Sequence, residues 1–409
     1  MRRTVCKQQK DGYTHDKRDG VRNKRNKTEN MKHRFNYEWT LADAKFTKDK
    51  GTVFSCFACG GGSTMGYKLA GFDVLGCNEI DPKMIEAYKT NHKPKYAYLE
   101  PIQTFKDRND LPKELYNLDI LDGSPPCSSF SMAGNRDKDW GKEKKFREGQ
   151  AKQVLDNLFF DFIDLAKELQ PKVVVAENVK GLLLGNAKEY VRKIYKEFDK
   201  AGYYCQHWLL DASKMGVPQR RERVFFVCLR KDLAEPFLYQ KDMFTQVPKL
   251  ELNFNEPEIP FKEIDTDIKE KDINRFSPML KKHWDKWEIG KSYSEVNEPS
   301  YSGFGYIKAN PKRAIGTILA HPESGTYHHK YKRQLNNIEY SLAGTYPLDY
   351  DFIKNKPKYL IGMSVPPVMT AQIATEIYNQ WLSVMQGGKK NNLSNNHSST
   401  TATVHHNCK

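Results

Sequence analysis

The sequence predicts an α/β fold, a doubly wound and mostly parallel sheet carrying a smaller, irregular second domain. Three observations lead there. Short apolar runs alternate with amphipathic helical segments from about residue 52 to about residue 229. A glycine cluster joins the first of these runs to the first helix. After about residue 240 the rhythm breaks, and Pro, Asn, Lys and aromatic residues follow with weak periodicity.

Each element has a local cause. Thr52 to Phe57 reads as a short buried strand, and Ser63 to Ala70 as the first turns of a helix. Phe72 to Asn78 is a second strand. Asp81-Pro82 then opens a helix to Asn91, with a capping carboxylate followed by a proline whose missing N–H is not needed there. Leu118 to Asp122 is a third short strand. Gln153 to Leu169 places apolar residues at 154, 155, 158, 159, 162, 165, 166 and 169, the stripe of an amphipathic helix. Lys172 to Ala176 and Val224 to Leu229 are continuous apolar strands, with a helix at Tyr190 to Lys200 between them. A last helix, Pro367 to Val384, follows Val365-Pro366. The expected organisation is a basic, disordered arm (1–37), an α/β domain (38–240), an irregular domain (241–332), a return segment completing the α/β domain (333–385) and a low-complexity tail (386–409).

Composition narrows the function. No run of 18 apolar residues exists and the N-terminus has no apolar signal region, so a membrane span and secretion are not expected. Eight cysteines scattered over 409 residues do not form a dense disulfide framework, which suits a reducing, cytoplasmic setting. The net charge of +15 points to a polyanionic partner. Residues 1 to 35 hold twelve Lys/Arg against four Asp/Glu, so eight of those charges lie in the arm.

The stretch "FSCFACGGGSTMGYKLAGF" allows two readings. Cys56 and Cys59 have the spacing of a redox pair or half a zinc site, but no second pair completes a zinc site. Both lie on the strand or at its end, away from the helix N-terminus that activates a redox thiol. Gly60, Gly61, Gly62 and Gly66 instead form a strand-to-helix turn that lets a ligand approach the backbone. Glu79 ends the next strand, where a carboxylate can accept hydrogen bonds from ribose hydroxyls. Together they point to an adenosine-containing cofactor.

The stretch "LDGSPPCSSFSMAG" follows the third strand. Enzymes that methylate exocyclic amines place a stacking aromatic after such a Pro-Pro; here Cys127 stands there, a nucleophile on a backbone stiffened by two prolines. "AENVKGLL", "VPQRRERVFFV", "RQLNNIEYSLAGTYPLDY" and "GMSVPPVMTAQIA" follow in that order. In these five motifs, from about Val53 to Trp381, the chain resembles the DNA (cytosine-5) methyltransferases of bacterial and phage type.

The resemblance implies a Rossmann-like fold and S-adenosylmethionine as cofactor. It assigns Cys127 as the nucleophile that adds to C6 of cytosine, Glu177 as the group serving N3, Arg223 as the contact to O2 and Arg221 as an anchor. Desolvation at a strand end would raise the pKa of Glu177 and favour its donor role. Gln219, Arg221 and Arg223 alternate, so on one strand all three would face the same way. For the cofactor the resemblance assigns Phe57, Ala58, Cys59, Gly60, Gly61, Gly62, Glu79, Ile80, Ile102, Asp122, Pro125, Ser364 and Val365, and no metal. Three departures stand out: Cys59 replaces the first glycine of F-x-G-x-G-G, Glu100-Pro101-Ile102 replaces Gly-Asp-Ile, and Met363 replaces the asparagine of G-N-S-V-P. Asp107 is one candidate to replace the lost aspartate.

The implied partner is double-stranded DNA, bound by a monomer in the cytoplasm, with the target base flipped out of the duplex. Residues 128 to 150 read as a loop closing over that base. Residues 240 to 332, including the pair Thr317-Ile318, read as the target-recognition region. The spacing of His321, His328 and His329 does not suggest a metal site. The family's tRNA-directed branch carries a Cys-Phe-Thr signature that this chain lacks, and a silent DNA-binding relative would not need Cys127, Glu177 and Arg223 together.

Overall fold

The computed structural model describes residues 33–126, 157–185, 187–242, 245–269, 278–296, 305–321 and 325–387, with the backbone of 143–144 and 153–154. Cys127, the 128–150 loop except for that two-residue backbone stretch, the arm to residue 32 and the tail from 388 lie outside the described residues.

Seven strands form the central sheet: β1 (Thr52–Cys56), β2 (Asp73–Glu79), β3 (Tyr96–Leu99), β4 (Ile120–Gly123), β5 (Val173–Val179), β6 (Tyr203–Asp211) and β7 (Glu222–Arg230). Their order is β3-β2-β1-β4-β5-β7-β6. Strands β3 through β5 run parallel, and β7 is antiparallel to both β5 and β6. The chain winds outward from β1 to β3, then returns to the other side of β1 for β4. This reversal opens a crevice at the carboxyl ends of β1 and β4, the place where such sheets bind ligands.

Helices cover both faces: α1 (Gly62–Leu69), α2 (Pro82–His92), α3 (Ile102–Phe105), α4 (Leu158–Leu169) and α5 (Ala187–Lys200). Alternation along a strand sends neighbours to opposite sides. Val174 of β5 joins a core with Phe54, Phe105, Phe162 and Phe226, whereas Val175 joins another with Phe72, Phe225, Met369 and Trp381. Asp81 caps α2 as expected, accepting from the N–H groups of Lys83 and Met84.

Some expectations are corrected. The fourth helix begins at Leu158; Gln153 and Val154 are extended and pair with Glu143 and Lys144. Strand β6 was not foreseen, because "YYCQHWLLD" mixes polar and aromatic residues on a half-buried edge rather than forming an apolar run. Residues 33–37, assigned to the arm, are tied down: His33 Nδ1 lies 2.9 Å from Glu256 Oε2, and Arg34 Nη1 donates to Glu376 Oε1 at 2.6 Å.

Beyond the sheet come β8 (Leu238–Gln240) paired antiparallel with β9 (Gln246–Pro248), α6 (Pro278–His283), and β10 (Tyr306–Lys308) paired parallel with β11 (Gly325–Tyr327). Leu280, Trp284, Trp287, Tyr293 and Tyr327 form a small core of their own. The buried Lys308 ammonium donates to the carbonyls of Trp284 (3.1 Å) and Trp287 (2.9 Å). Helices α7 (Asn337–Ala343), α8 (Pro357–Met363) and α9 (Pro367–Ile377) bring the chain back. Among the described residues no helix is long and apolar enough to cross a membrane.

Helix α9 lies directly on α1, and Gly66 makes this possible. A Cβ at Gly66 would stand 2.4 Å from the carbonyl oxygen of Pro367 and 2.5 Å from Cβ of Thr370. Alanine normally improves a helix interior by about 1 kcal/mol over glycine. Here a backbone clash opposes that gain, and overpacking typically costs about 1–3 kcal/mol. Gly66→Ala is therefore expected to lower stability in urea denaturation; a higher midpoint would contradict this packing.

Candidate active site

The loop after β1 is shaped by its neighbours. Phe57 and Cys59 adopt left-handed backbone (φ 53° and 50°), a conformation that disfavours a side chain, and Gly61 follows at φ 84°. The carbonyl of Gly60 accepts from Tyr350 Oη at 2.6 Å and lies 3.2 Å from His92 Nε2. A Cβ at Gly60 would strike the Leu360 side chain, and one at Gly62 would lie 2.3 Å from the Val365 carbonyl oxygen. The glycines thus admit the return segment as well as opening the backbone to a ligand.

Glu79 reaches back to this loop. Its Oε2 accepts from the Cys59 N–H at 2.7 Å, and its Oε1 accepts from the N–H groups of Ile80 and Asp81, both at 2.8 Å. Burial raises its pKa despite these three donors. Each carboxylate oxygen has two acceptor directions, so Oε2 keeps one for a ligand hydroxyl.

A pocket opens at the switch point, lined among others by Phe57, Cys59, Ser364 and Val365. Asp122, Ser55 and Ser124 also line it. Ser55 Oγ donates to Asp122 Oδ2 at 2.7 Å and Tyr67 Oη to Oδ1 at 3.1 Å. Burial pushes the Asp122 pKa up to about 7, and the charge of Glu177 adds to the rise. Burial also holds the Cys56 thiol well above its usual range and pushes Cys59 up to about 12, with Glu79 contributing. Both are thiols rather than thiolates near neutral pH, unlike the activated cysteines of redox pairs.

Beside the pocket, β5 carries Glu177 and β7 carries Arg223. Arg223 Nε and Glu177 Oε1 are 3.0 Å apart, and both side chains are largely buried. Burial lowers the Arg223 pKa, with Glu177 opposing the shift. Glu177 is therefore not the unpaired, desolvated carboxyl expected from its strand position; the diagonal register of β5 on β7 gives it a guanidinium partner. Asn178 Nδ2 donates to the Pro125 carbonyl at 3.1 Å, fixing the end of β5 to the turn that leads into residue 127.

The alternation of Gln219, Arg221 and Arg223 on one strand is corrected, because β7 starts at Glu222 and only Arg223 belongs to it. Buried Arg221 instead donates to the carbonyls of Ile318 (3.3 Å), Gly362 (3.0 Å) and Ser364 (3.0 Å). Burial, then the charge of Arg223, lowers its pKa to about 9. Gln219 is buried too, accepting from the Ile318 N–H and donating to the Ala343 carbonyl. Thr317 Oγ1 donates to the Arg220 carbonyl, so the Thr317-Ile318 pair also serves this junction.

Other assigned residues lie elsewhere. Ile102 is buried in the core with Phe54 and Phe105, and it does not line the pocket. Glu100 pairs with Arg108 at 3.0 Å, and Asp107 is exposed. Met363 is exposed for nearly half its surface at the pocket rim. The roles of Tyr350, His92 and Ser55 are not legible in the sequence, because each depends on a partner far along the chain: Gly60 for Tyr350 and His92, and Asp122 for Ser55.

Asp265, His328 and His329 bring ligand-type atoms within 4.8 Å of one another. However, His328 Nε2 meets Asp265 Oδ1 at 3.0 Å, and its Nδ1 accepts from the N–H groups of Lys330 and Tyr331. Both ring nitrogens are engaged, which fits a clasp between two chain segments better than a metal centre.

A family profile described as C-5 cytosine-specific DNA methylase matches residues 51–379. The type II methyltransferase M.FnuDI of Fusobacterium nucleatum is 40% identical over 182 residues, covering 44% of this chain and 47% of that protein. M.NgoPII of Neisseria gonorrhoeae is 34% identical over 193 residues, covering 46% and 51%. The chain thus spans about half the length of these two relatives. M1.HphI of Haemophilus parahaemolyticus is 25% identical over 336 residues, covering 80% and 86%. Among solved structures, a prophage-encoded protein of E. coli described as a DNA modification methyltransferase aligns with a TM-score of 0.58 at 20% identity, over 80% of this chain and 99% of that one. A DNMT2 variant of Spodoptera frugiperda aligns with a TM-score of 0.53 at 18% identity, over the same shares. These two share the fold. With a profile match that begins at the glycine-loop strand and runs through the return segment, the chain belongs to the C-5 cytosine-specific DNA methylase family.

Proposed function

We propose that the protein transfers a methyl group from S-adenosylmethionine to C5 of a cytosine flipped out of a specific double-stranded DNA sequence. One observation carries this reading: the Glu177–Arg223 pair stands on strand ends fastened, through Asn178 and Pro125, to the turn that leads into Cys127. The cofactor pocket lies at the start of the same turn, at Asp122 and Ser124.

Cytosine C5 is a poor nucleophile until the ring is activated. The Cys127 thiolate adds to C6, and the ring becomes an enamine whose C5 carries the electrons. Arg223 meets the ring at O2, while Glu177, oriented by Arg223, serves N3 with a proton or hydrogen bond. Loss of the C5 proton and expulsion of the thiolate then restore the aromatic ring. When bound, S-adenosylmethionine supplies an electrophilic methyl group. The pocket lining suits it in two respects: Phe57 offers a face for adenine and Asp122 a carboxylate. Glu79, outside the lining but bonded to the Cys59 N–H, keeps an acceptor direction for ribose. Arg221 acts as an anchor, tying the return segment at 362–364 to the strand that bears Arg223.

Residues 241–332 are assigned to target recognition, and residues 38–240 and 333–385 to the catalytic domain. The test is to incubate the full chain with tritiated-methyl S-adenosylmethionine and duplex DNA, then analyse the nucleosides. The label should appear in 5-methylcytosine. Label in another nucleoside, or in tRNA but not in DNA, would overturn the reading.

A further inference from the structure

We propose that Asp122 is the counter-ion for the positively charged sulfur of the cofactor, so that the pocket selects the methyl-bearing sulfonium over the neutral sulfide left after transfer. The inference rests on the S-adenosylmethionine reading above.

Asp122 is the third residue of β4, lies almost wholly buried and is one of the residues that line the pocket. Its partners are hydroxyls: Ser55 on one oxygen, Tyr67 on the other, and Ser63 nearby. No lysine or arginine among the described residues forms an ion pair with it. Three hydroxyls, Ser55, Tyr67 and Ser63, hold the carboxylate and leave one of its four acceptor directions open. A buried carboxylate without a cation is unfavourable, and this one is held close to its point of protonation near neutrality. A cation entering the pocket removes that penalty.

The reaction decides which cation. The transferred methyl must reach C5, the ring atom next to the one bonded by Cys127, and Cys127 lies five residues beyond Asp122. Asp122 pairs in register with Val175, two residues before Glu177. Of the charged groups of S-adenosylmethionine, the sulfonium is the one obliged to stand at this end of the pocket. On transfer the S–CH3 bond breaks and its electron pair stays on sulfur, which becomes a neutral sulfide. The attraction to Asp122 then disappears, which favours release of the spent cofactor.

The other titratable groups facing Asp122 leave this charge logic intact. Cys56 on β1, Tyr67 on α1 and Tyr88 on α2 are held well above their usual ranges by burial and stay neutral. Glu177 on β5 is already paired with Arg223.

The test compares S-adenosylmethionine with S-adenosylhomocysteine, which share the ammonium, carboxylate and nucleoside and differ by the methyl and its charge. Calorimetric dissociation constants for the full chain should show that Asp122→Asn weakens S-adenosylmethionine by roughly tenfold, about one charge interaction at a partly dry site. Binding of S-adenosylhomocysteine should be unchanged, which also shows that the variant is folded. In the wild type, lowering the pH from about 8 to about 6 should erode the preference for S-adenosylmethionine as Asp122 takes up a proton. Equal weakening of both ligands would place Asp122 on their common part and overturn the proposal, as would no change in either. If the variant does not fold, a wild-type preference that is flat with pH overturns it. Failure of the wild type to bind either ligand would instead refute the cofactor reading.

Discussion

Cys127→Ala should reduce methyl transfer to the background of the assay while leaving DNA binding within a few-fold of wild type. The size of the effect follows from its place in the chemistry. Without a covalent bond at C6, C5 keeps the low nucleophilicity of an aromatic ring, and no other group in the site can supply the electrons. In the proposed roles Glu177 and Arg223 polarise the ring at N3 and O2, but they cannot form that bond. Removing a group that acts only in the reaction should lower kcat and kcat/KM together. DNA affinity draws mainly on phosphate contacts, which one thiol does not alter. Measurable turnover by Cys127→Ala in the tritiated-methyl assay would reject the nucleophile assignment; loss of both binding and folding would point to a structural role.

Arg333→Met should be the most destabilising single change outside the sheet. Arg333 and Glu339 form a bidentate pair, Nη1 to Oε2 at 2.7 Å and Nη2 to Oε1 at 2.8 Å, and both side chains are essentially excluded from solvent. The same carboxylate accepts from the Thr266 hydroxyl at 2.9 Å and from the Asn336 N–H at 2.9 Å, completing the capping box of α7. Arg333 Nε also donates to the Ile268 carbonyl. Chain within the irregular region at 266–268 is thereby fastened to the start of the return segment at 333–339. Removing one partner strands a buried charge, which typically costs about 3–5 kcal/mol. Replacing both at once, Arg333→Met with Glu339→Leu, should recover much of the loss because no charge is then left buried. Urea denaturation of the two variants checks this. A loss below about 1 kcal/mol for Arg333→Met would mean that the pair is solvated.

Much of the sheet was legible because its causes are local. Strands β1, β2, β4, β5 and β7 are apolar runs, and Asp81-Pro82 announces the start of α2. Strand β6 was not legible, since an antiparallel edge can carry polar residues on its open face. In the candidate site, the glycines, the Pro-Pro turn, Glu177 and Arg223 stand out in the sequence as side chains the proposed chemistry demands, and the fold brings Glu177 and Arg223 within 3.0 Å of each other. The site was not legible where long-range contacts decide. Nothing around Gly62 says that the Val365 carbonyl will approach it, and nothing around Arg221 says that its acceptors lie about 97 and 141 residues away. Glu79 was legible as an acid beside the loop, but its three backbone donors depend on how the loop folds back upon it. Ile102 was assigned by motif position, and burial placed it in the core instead.

The most direct test of the central claim uses duplex DNA in which the target cytosine carries fluorine at C5. After methyl addition the ring has no proton to lose from C5, so the enzyme should remain bonded to the DNA. With S-adenosylmethionine present, the account predicts a protein–DNA band that survives denaturing electrophoresis with wild type and is absent with Cys127→Ala. An enzyme that methylates ordinary DNA yet forms no such band on the fluorinated duplex would contradict a bond between Cys127 and C6.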